Sequence, residues 1–256
     1  MNNMNNLLFE VSDSHFSVNY LSNNQLINSW NLDLSTKSEL LKKDFISDFV
    51  IKEGITLLTY TNALVVWSSK NVVLVPSSLF DHSDFDTLFE LNFGKDFSKK
   101  DTDYNRNHLL GTVNLFTIPL WLKSLFVMKF PGSKIIHETS ATLNYLASKN
   151  TATKFHGVLS LTDSHFDFVV FEYDKPIIFL QNSFNEVEDV IYQVTFSMQK
   201  SELLVKKGMI EIYPFSQTAN SISEGVVNKL EHLQITPFVQ WNLRSDLGIN
   251  SIDLCV

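Results

Sequence analysis

A duplicated turn is the sequence feature that most constrains this chain. The segment Val11-Ser12-Asp13-Ser14-His15-Phe16 returns 150 positions later as Leu161-Thr162-Asp163-Ser164-His165-Phe166. Each copy follows an apolar run and precedes residues that alternate between apolar and polar, which is typical of a strand, a tight turn and a second strand. The chain is therefore predicted to contain one kind of domain twice, in residues 1–150 and, in a shorter version, in residues 151–256.

Composition limits the class of protein and the partners it can take. With 256 residues, 44% of them hydrophobic and 21 of them Phe, the chain can build two packed cores and is not a disordered protein. The net charge of −8 opposes binding to nucleic acid and to anionic membranes. The lone Cys255, the N-terminus without a basic signal region and the lack of a long apolar segment predict a cytoplasmic protein without a transmembrane helix.

The periodicity of apolar residues predicts the same plan in both copies, three meandering strands followed by alternating helices and strands. In the first copy, after a helix that Thr36 or Ser38 begins and Gly54 ends, the predicted elements are a strand at 55–58, a hairpin of 64–67 with 72–75, one or two helices within 78–93, an exposed loop at 95–107, strands at 109–116 and 134–137, and helices from Pro119 and over 139–147. In the second copy they are strands at 157–162, 165–172, 176–183, 209–213 and 237–243, and helices at 187–205 and 221–233, with the tail from Arg244 unassigned. Each copy is thus predicted to be an α/β domain of the ribonuclease-H-like kind, a mixed sheet of about five strands flanked by helices.

Two stretches near the junction of the copies carry a family resemblance. Residues 134–145 (KIIHETSATLNY) resemble the pattern R-I-I-N-E-P-T-A-A-A-L-A-Y of the 70-kDa heat-shock chaperones, and residues 158–167 (VLSLTDSHFD) resemble their second phosphate loop, V-F-D-L-G-G-G-T-F-D. Those chaperones belong to the actin-like ATPase superfamily, whose members have tandem ribonuclease-H-like domains. Nearly the whole chain is also similar to the bacterial family known as domain of unknown function 3822, which implies an actin-like fold without nucleotide motifs and without an assigned activity.

The resemblance implies that the two repeated turns occupy the places of the superfamily's phosphate loops. There, glycines let backbone N–H groups close on the phosphates, and a carboxylate helps to hold magnesium. Here the three glycine positions carry Thr162, Asp163 and Ser164, and a negative charge about 4 Å from a phosphate costs on the order of 4 kcal/mol at an effective dielectric near 20. No nucleotide cofactor is therefore expected. The candidate cleft residues are Glu10, Ser12, Asp13, Ser14 and His15 in the first turn, and Ser160, Thr162, Asp163, Ser164 and His165 in the second.

Several functions remain open at this stage. A Ser-His-Asp catalytic site is disfavoured because neighbouring residues of one turn cannot point at one another in the required order, so no catalytic residue is assigned. Two Asp-x-His pairs could hold a metal between the domains, but two independent turns explain them more simply, and no metal is assigned. The favoured hypothesis is a nucleotide-independent pseudo-ATPase that acts as a binding or scaffold protein for an unknown protein partner or as a homodimer. Its rivals are a divergent ATP-dependent kinase or ATPase in which Glu10 holds the metal, and a small-molecule or metal sensor.

Overall fold

The computed structural model describes residues 4–81, 85–94, 99–149, 152–233 and 236–244. The chain divides into two compact units, and the division falls between Ala141 and Thr142. The strands of the first unit are β1 (Asn5–Val11), β2 (His15–Ser22), β3 (Gln25–Asp33), β4 (Asn62–Trp67), β5 (Val72–Pro76), β6 (Thr102–Asn107), β7 (Thr112–Thr117) and β8 (Lys134–His137). Its helices are α1 (Glu39–Lys52), α2 (Phe85–Phe93) and α3 (Leu120–Lys129), and α4 (Glu138–Ser148) contains the division.

The main sheet of unit 1 has the strand order β3-β2-β1-β4-β8. Strand β1 pairs antiparallel with β2 and parallel with β4, so it lies in the middle of the sheet. Both β1 and β4 are almost wholly buried because each is a short run of apolar residues, as a strand covered on two faces requires. The first turn, between β1 and β2, lies at the end of this central strand.

A second, three-stranded sheet of order β5-β7-β6 interrupts unit 1 between β4 and β8. The predicted hairpin of 64–67 with 72–75 is therefore wrong, because β5 pairs with β7 whereas β4 pairs with β1 and β8. The predicted loop at 95–107 is also wrong where it is described, because Thr102–Asn107 is strand β6, while 95–98 lie outside the described residues. A polar strand forms here because only one of its edges pairs with the neighbouring β7 and most of its side chains remain half-exposed.

Helix α1 begins after Ser38 and is followed by Gly54, whose φ of 69° is left-handed and suits glycine. The strand predicted at 55–58 is a 3-10 turn over Ile55–Leu57 instead, because the left-handed glycine turns the chain directly after the helix. Only Ile46 and Val50 of α1 are buried, whereas Leu40 is 90% exposed. Within the described residues, no helix is long and apolar enough to cross a membrane.

Unit 2 repeats the main sheet of unit 1 in the order β11-β10-β9-β12-β13. Its strands are β9 (Phe155–Leu161), β10 (His165–Glu172), β11 (Lys175–Ser183), β12 (Gly208–Pro214) and β13 (Val239–Leu243), and its helices are α5 (Val187–Lys200) and α6 (Gln217–Leu233). The register repeats as well, because Phe9 faces Val18 in the first sheet and Leu159 faces Phe168 in the second. The predicted duplication and fold class, two mixed five-stranded sheets flanked by helices, are confirmed.

Candidate functional site

The first repeated turn is closed by the side chain of its own serine. The backbone N–H of Ser12 donates to the carbonyl of His15 at 2.8 Å. In return, Ser12 Oγ accepts the N–H groups of Ser14 at 3.4 Å and of His15 at 3.1 Å. The hydroxyl of a buried serine therefore satisfies the amides at the tip of this turn.

The second turn repeats this arrangement with more bonds. Thr162 Oγ1 accepts the N–H groups of Ser164 at 3.4 Å and of His165 at 3.0 Å. It also lies 2.8 Å from the carbonyl oxygen and 2.9 Å from Nδ1 of His165, while the Thr162 N–H donates to that carbonyl at 3.0 Å. Thr162 and His165 are both buried, so the turn is held by a compact internal network.

These bonds decide what the turns can do chemically. A phosphate loop binds its ligand with backbone N–H groups that point at the phosphate oxygens. In both turns the amides of the third and fourth residues donate to the hydroxyl of the first one. A phosphate could accept hydrogen bonds from these amides only after the amide–hydroxyl bonds were broken. Each new bond to phosphate would therefore replace a hydrogen bond already made inside the protein.

The two aspartates of the turns have different surroundings. Asp13 has an exposed carboxylate, 3.8 Å from the ammonium group of Lys42. Asp163 accepts a hydrogen bond from the Ser216 hydroxyl, whose oxygen accepts the N–H of Ala219 at 3.0 Å in the first turn of α6. Asp163 therefore fixes the residue that caps a helix of its own unit, a structural role that the repeat alone did not reveal.

The remaining candidates do not assemble into a metal site. Glu10, the carboxylate retained in the first copy, accepts hydrogen bonds from Ser17 Oγ at 3.2 Å and Asn19 Nδ2 at 3.5 Å on β2. Its counterpart in the second copy, Ser160, is buried on β9. Across the described ranges, no group of three or more His, Cys, Asp or Glu side chains is arranged to hold a metal ion.

Removing the hydroxyl group of Ser12 or Thr162 shows how much the internal hydrogen bonds of each turn stabilise the protein. We expect Thr162→Ala to lower the free energy of unfolding by about 2 kcal/mol, because it removes the acceptor of two amides, of which that of His165 is buried. Ser12→Ala, with fewer bonds lost, should cost about 1 kcal/mol. Urea denaturation measures both, and Thr162→Ser, which keeps the oxygen, is the matched control. Equal stability of the Ala and Ser variants at position 162 would show that the turn does not depend on this oxygen.

Unit 1 also contains a pocket of about 260 Å³ beside the first turn. Its lining includes the carboxylates of Asp13, Glu39 and Asp101, which together outnumber the single ammonium group of Lys70. A net negative lining disfavours a polyphosphate, and the volume is below the roughly 300 Å³ at which typical ligand pockets begin.

Ser69, one of the residues that line this pocket, lies near a histidine. Ser69 Oγ is 3.3 Å from His137 Nε2, and His137 Nδ1 is 3.0 Å from Thr139 Oγ1. The Ser69 hydroxyl also has the carbonyl of Thr117 within 3.2 Å, and the His137 ring is completely buried. These contacts tie the chain that follows β4 to the end of β8. A buried ring of this kind cannot exchange protons with a substrate, so we assign no nucleophile here.

Among the described residues, the largest pKa shift belongs to a glutamate of unit 2 that the sequence analysis missed. Glu211, 3% exposed on the inner strand β12, accepts the Tyr145 hydroxyl at 2.5 Å and the Arg244 guanidinium at 3.1 Å. His156 Nε2 lies 3.5 Å away, and its Nδ1 has no hydrogen-bond partner among the described residues. Burial raises the pKa of Glu211, but the contacts with His156, Tyr145 and Arg244 outweigh it and lower the pKa to about 2.

No local pattern in the sequence indicates this cluster. Strand β12 reads Met209-Ile210-Glu211-Ile212-Tyr213, and the alternation suggests that the glutamate faces solvent. In a strand between two parallel neighbours, however, both faces are covered, so a carboxylate there must have a partner. The cluster holds α4, β9 and β12 together within unit 2, and its carboxylate and imidazole are buried from solvent.

Comparison with known proteins supports the fold and not an activity. A family model described as Protein of unknown function (DUF3822) matches residues 2–224. The chain is similar to a Bacteroides thetaiotaomicron protein described as having an actin-like ATPase fold and unknown function, with a TM-score of 0.78, 15% identity and coverage of 99% of this chain and 96% of that one. It is also similar to the PilM-PilN type IV pilus biogenesis complex, with a TM-score of 0.59, 11% identity and coverage of 93% and 87%. No curated protein matches the chain. At these identities the structural likeness shows the actin-like fold alone.

Proposed function

The chain belongs to the family described as Protein of unknown function (DUF3822), and we propose that it is a nucleotide-independent binding or scaffold protein built on an actin-like ATPase fold. The observation that carries the proposal is the internal hydrogen bonding of both repeated turns. Ser12 and Thr162 occupy the amides that a phosphate loop would offer to a nucleotide. The fold is kept while its phosphate-binding groups serve the protein itself.

Charge supports the same proposal. Asp13 carries an exposed carboxylate beside the first turn, and the pocket next to it adds Glu39 and Asp101. Each of these carboxylates would repel a nucleoside triphosphate. The repulsion energy between one carboxylate and one phosphate charge about 4 Å apart is on the order of a few kcal/mol in a partly solvated site. Two lysines, Lys70 in the lining and Lys42 beside Asp13, do not offset three acids, so the pocket favours neutral or cationic groups.

A protein partner is part of the proposal and is supported by the surface of α1. Leu40 is 90% exposed and Leu41 is 57% exposed on this helix, and neighbouring exposed apolar side chains are typical of interaction surfaces. A cytoplasmic location belongs to the same proposal, supported by the single cysteine in the chain. The net charge of −8 supports a protein partner over nucleic acid.

A titration with Mg-ATP tests nucleotide independence. A ligand that binds only the folded protein adds RT ln(1 + [L]/Kd) to the free energy of unfolding, so the melting temperature rises with ligand concentration. We expect no saturable rise with Mg-ATP, measured against Mg²⁺ alone by differential scanning fluorimetry. The variant Asp163→Asn, which removes one charge and keeps an oxygen for the Ser216 hydroxyl, should also show none, because the amides of its turn remain occupied.

The wild-type protein and Asp163→Asn together show whether charge or the internal bonding of the turn excludes the nucleotide. A saturable stabilisation of the wild-type protein by Mg-ATP would overturn the proposal and favour the rival ATP-dependent kinase or ATPase. Stabilisation of Asp163→Asn alone would show that charge, and not the bonded turn, excludes the nucleotide.

A further inference from the structure

The duplicated sheets can be compared strand by strand, and they differ at one edge. Among the described strands, β3 pairs only with β2, and its counterpart β11 pairs only with β10. Both are nine residues long and both contain one register irregularity near their first residues. The two edge strands therefore match in length and in register, and we compare them by their side chains.

The side chains protect one edge and leave the other open. Strand β11 begins with Lys175-Pro176, a charge and a residue without an N–H, which are the usual means of preventing another strand from pairing. Strand β3 has Gln25-Leu26 at the same two places. From Gln25 to Leu32 it contains no charged residue and no proline.

Exposure separates the two strands in the same way. At equivalent places of the two strands, Ile27 of β3 is 59% exposed and Ile177 of β11 is 37% exposed. Leu26, which is 51% exposed, stands where β11 has Pro176. A long, uncharged edge strand with exposed apolar residues is a template for another strand.

We propose that β3 is a self-association edge, which pairs antiparallel with β3 of a second copy of this chain about a two-fold axis at Ser29. The proposal is independent of whether nucleotide binds. The N–H of Ser29 donates to the side chain of Asn28 at 2.9 Å. This N–H can make such a bond because it points to the free edge of the sheet and not to β2. At the two-fold axis the two Ser29 residues would instead exchange N–H and C=O bonds with each other, as in a hydrogen-bonded antiparallel pair.

The charges of β3 fit a second copy in this register. Its one charged residue, Asp33, is the last residue of β3, so the two copies of it would lie at opposite ends of the ladder and no like charges would face each other. The register irregularity at Ile27 limits the regular ladder to the residues around Ser29. The interface is therefore much smaller than the roughly 20–30 residues per side of a standard one, so the dimer should dissociate on dilution.

Sedimentation velocity of the full chain over a concentration series tests the proposal. The wild-type protein should show a reversible monomer–dimer equilibrium. Ser29→Lys places two ammonium groups opposite each other at the axis and should weaken dimerisation at least tenfold. The matched control is Ser183→Lys, the same change at an exposed position of β11, which should leave the equilibrium unchanged. A wild-type chain that stays monomeric, or equal effects of the two lysines, would overturn the proposal.

Cross-linking tests the register directly. Only a residue on the axis meets its own copy, at a Cα–Cα distance of about 5.5 Å that a disulfide can span. In a Cys255→Ser background, Ser29→Cys should form a covalent dimer on mild oxidation, whereas Ser183→Cys should stay monomeric. Failure of Ser29→Cys to cross-link under conditions where the chain is dimeric would exclude this axis.

Discussion

Replacing Glu211 with glutamine is expected to lower the free energy of unfolding by about 3 kcal/mol at pH 7. The carboxylate is buried against Tyr145, His156 and Arg244, and these contacts lower its pKa from 4.5 to about 2. Each pKa unit corresponds to about 1.4 kcal/mol of preference for the charged form. Glutamine has nearly the same shape and no charge, so the variant loses this preference. Urea denaturation of both proteins measures the difference.

The stability difference between the wild-type protein and Glu211→Gln should depend on pH. A carboxylate whose pKa is lower in the folded state stabilises the fold above its unfolded pKa and loses that contribution as the pH falls through the folded pKa. The contribution of Glu211 should therefore be complete above about pH 4.5 and should decline towards pH 2. The difference between the wild-type protein and Glu211→Gln should shrink over that window.

A more exposed pair is the control for this prediction. Glu172 and Lys206 lie 2.6 Å apart in the same unit, with side chains 28% and 26% exposed. Solvent screens such a pair, so Glu172→Gln should cost less than about 1 kcal/mol. If the two glutamine variants lose equal stability, burial of the Glu211 cluster has no special effect.

Gly208→Ala is expected to destabilise unit 2 by about 3 kcal/mol, although it adds one methyl group. A Cβ at this position would lie 2.2 Å from the ring of Phe155, which is completely buried in the core of unit 2. Because that core is closely packed, the ring can move only by displacing its neighbours. Thermal unfolding or urea denaturation should show the loss.

Gly225 provides the opposite control within the same unit. It lies in the middle of α6, and an added Cβ would meet the nearest atom of Val187 at an ordinary 3.7 Å. Alanine favours the helix over glycine, so Gly225→Ala should stabilise the protein by up to about 1 kcal/mol. A Gly208→Ala variant as stable as the wild-type protein would show that Phe155 can rearrange without cost.

Local patterns in the sequence were sufficient for the meander strands and for the duplication. The two Asp-Ser-His-Phe turns lie 150 positions apart, and the strand pairs beside them are shifted by the same number. Phe16 pairs with Val11 in the first sheet, and Phe166 pairs with Leu161 in the second. The replaced glycines also indicated that the turns differ from phosphate loops. Their internal bonding through Ser12 and Thr162 needed coordinates, because it depends on where two hydroxyl groups point.

The wrong hairpin and the missed Glu211 cluster concern contacts between residues distant in sequence, whereas the strand predicted at 55–58 was wrong for a local reason, the left-handed Gly54 before it. Val72 follows β4 after a short link, which is typical of a hairpin, but its partner is Phe116. The Glu211 cluster joins side chains from α4, β9, β12 and the end of β13, and no local pattern relates them. Such contacts depend on strand order, which periodicity alone does not determine.

The three-stranded sheet inserted in unit 1 has a consequence for the order of folding. To complete the main sheet, β8 must reach β4 across a connection more than twice as long as the one that brings β13 to β12. Each doubling of the length of a flexible loop raises the entropic free-energy cost of closing it by about 0.6 kcal/mol. Contacts between residues far apart in sequence also slow folding. Unit 2 should therefore complete its sheet sooner after it is synthesised, whereas β8 docks in unit 1 only once β5, β6 and β7 have shortened the path between its partners.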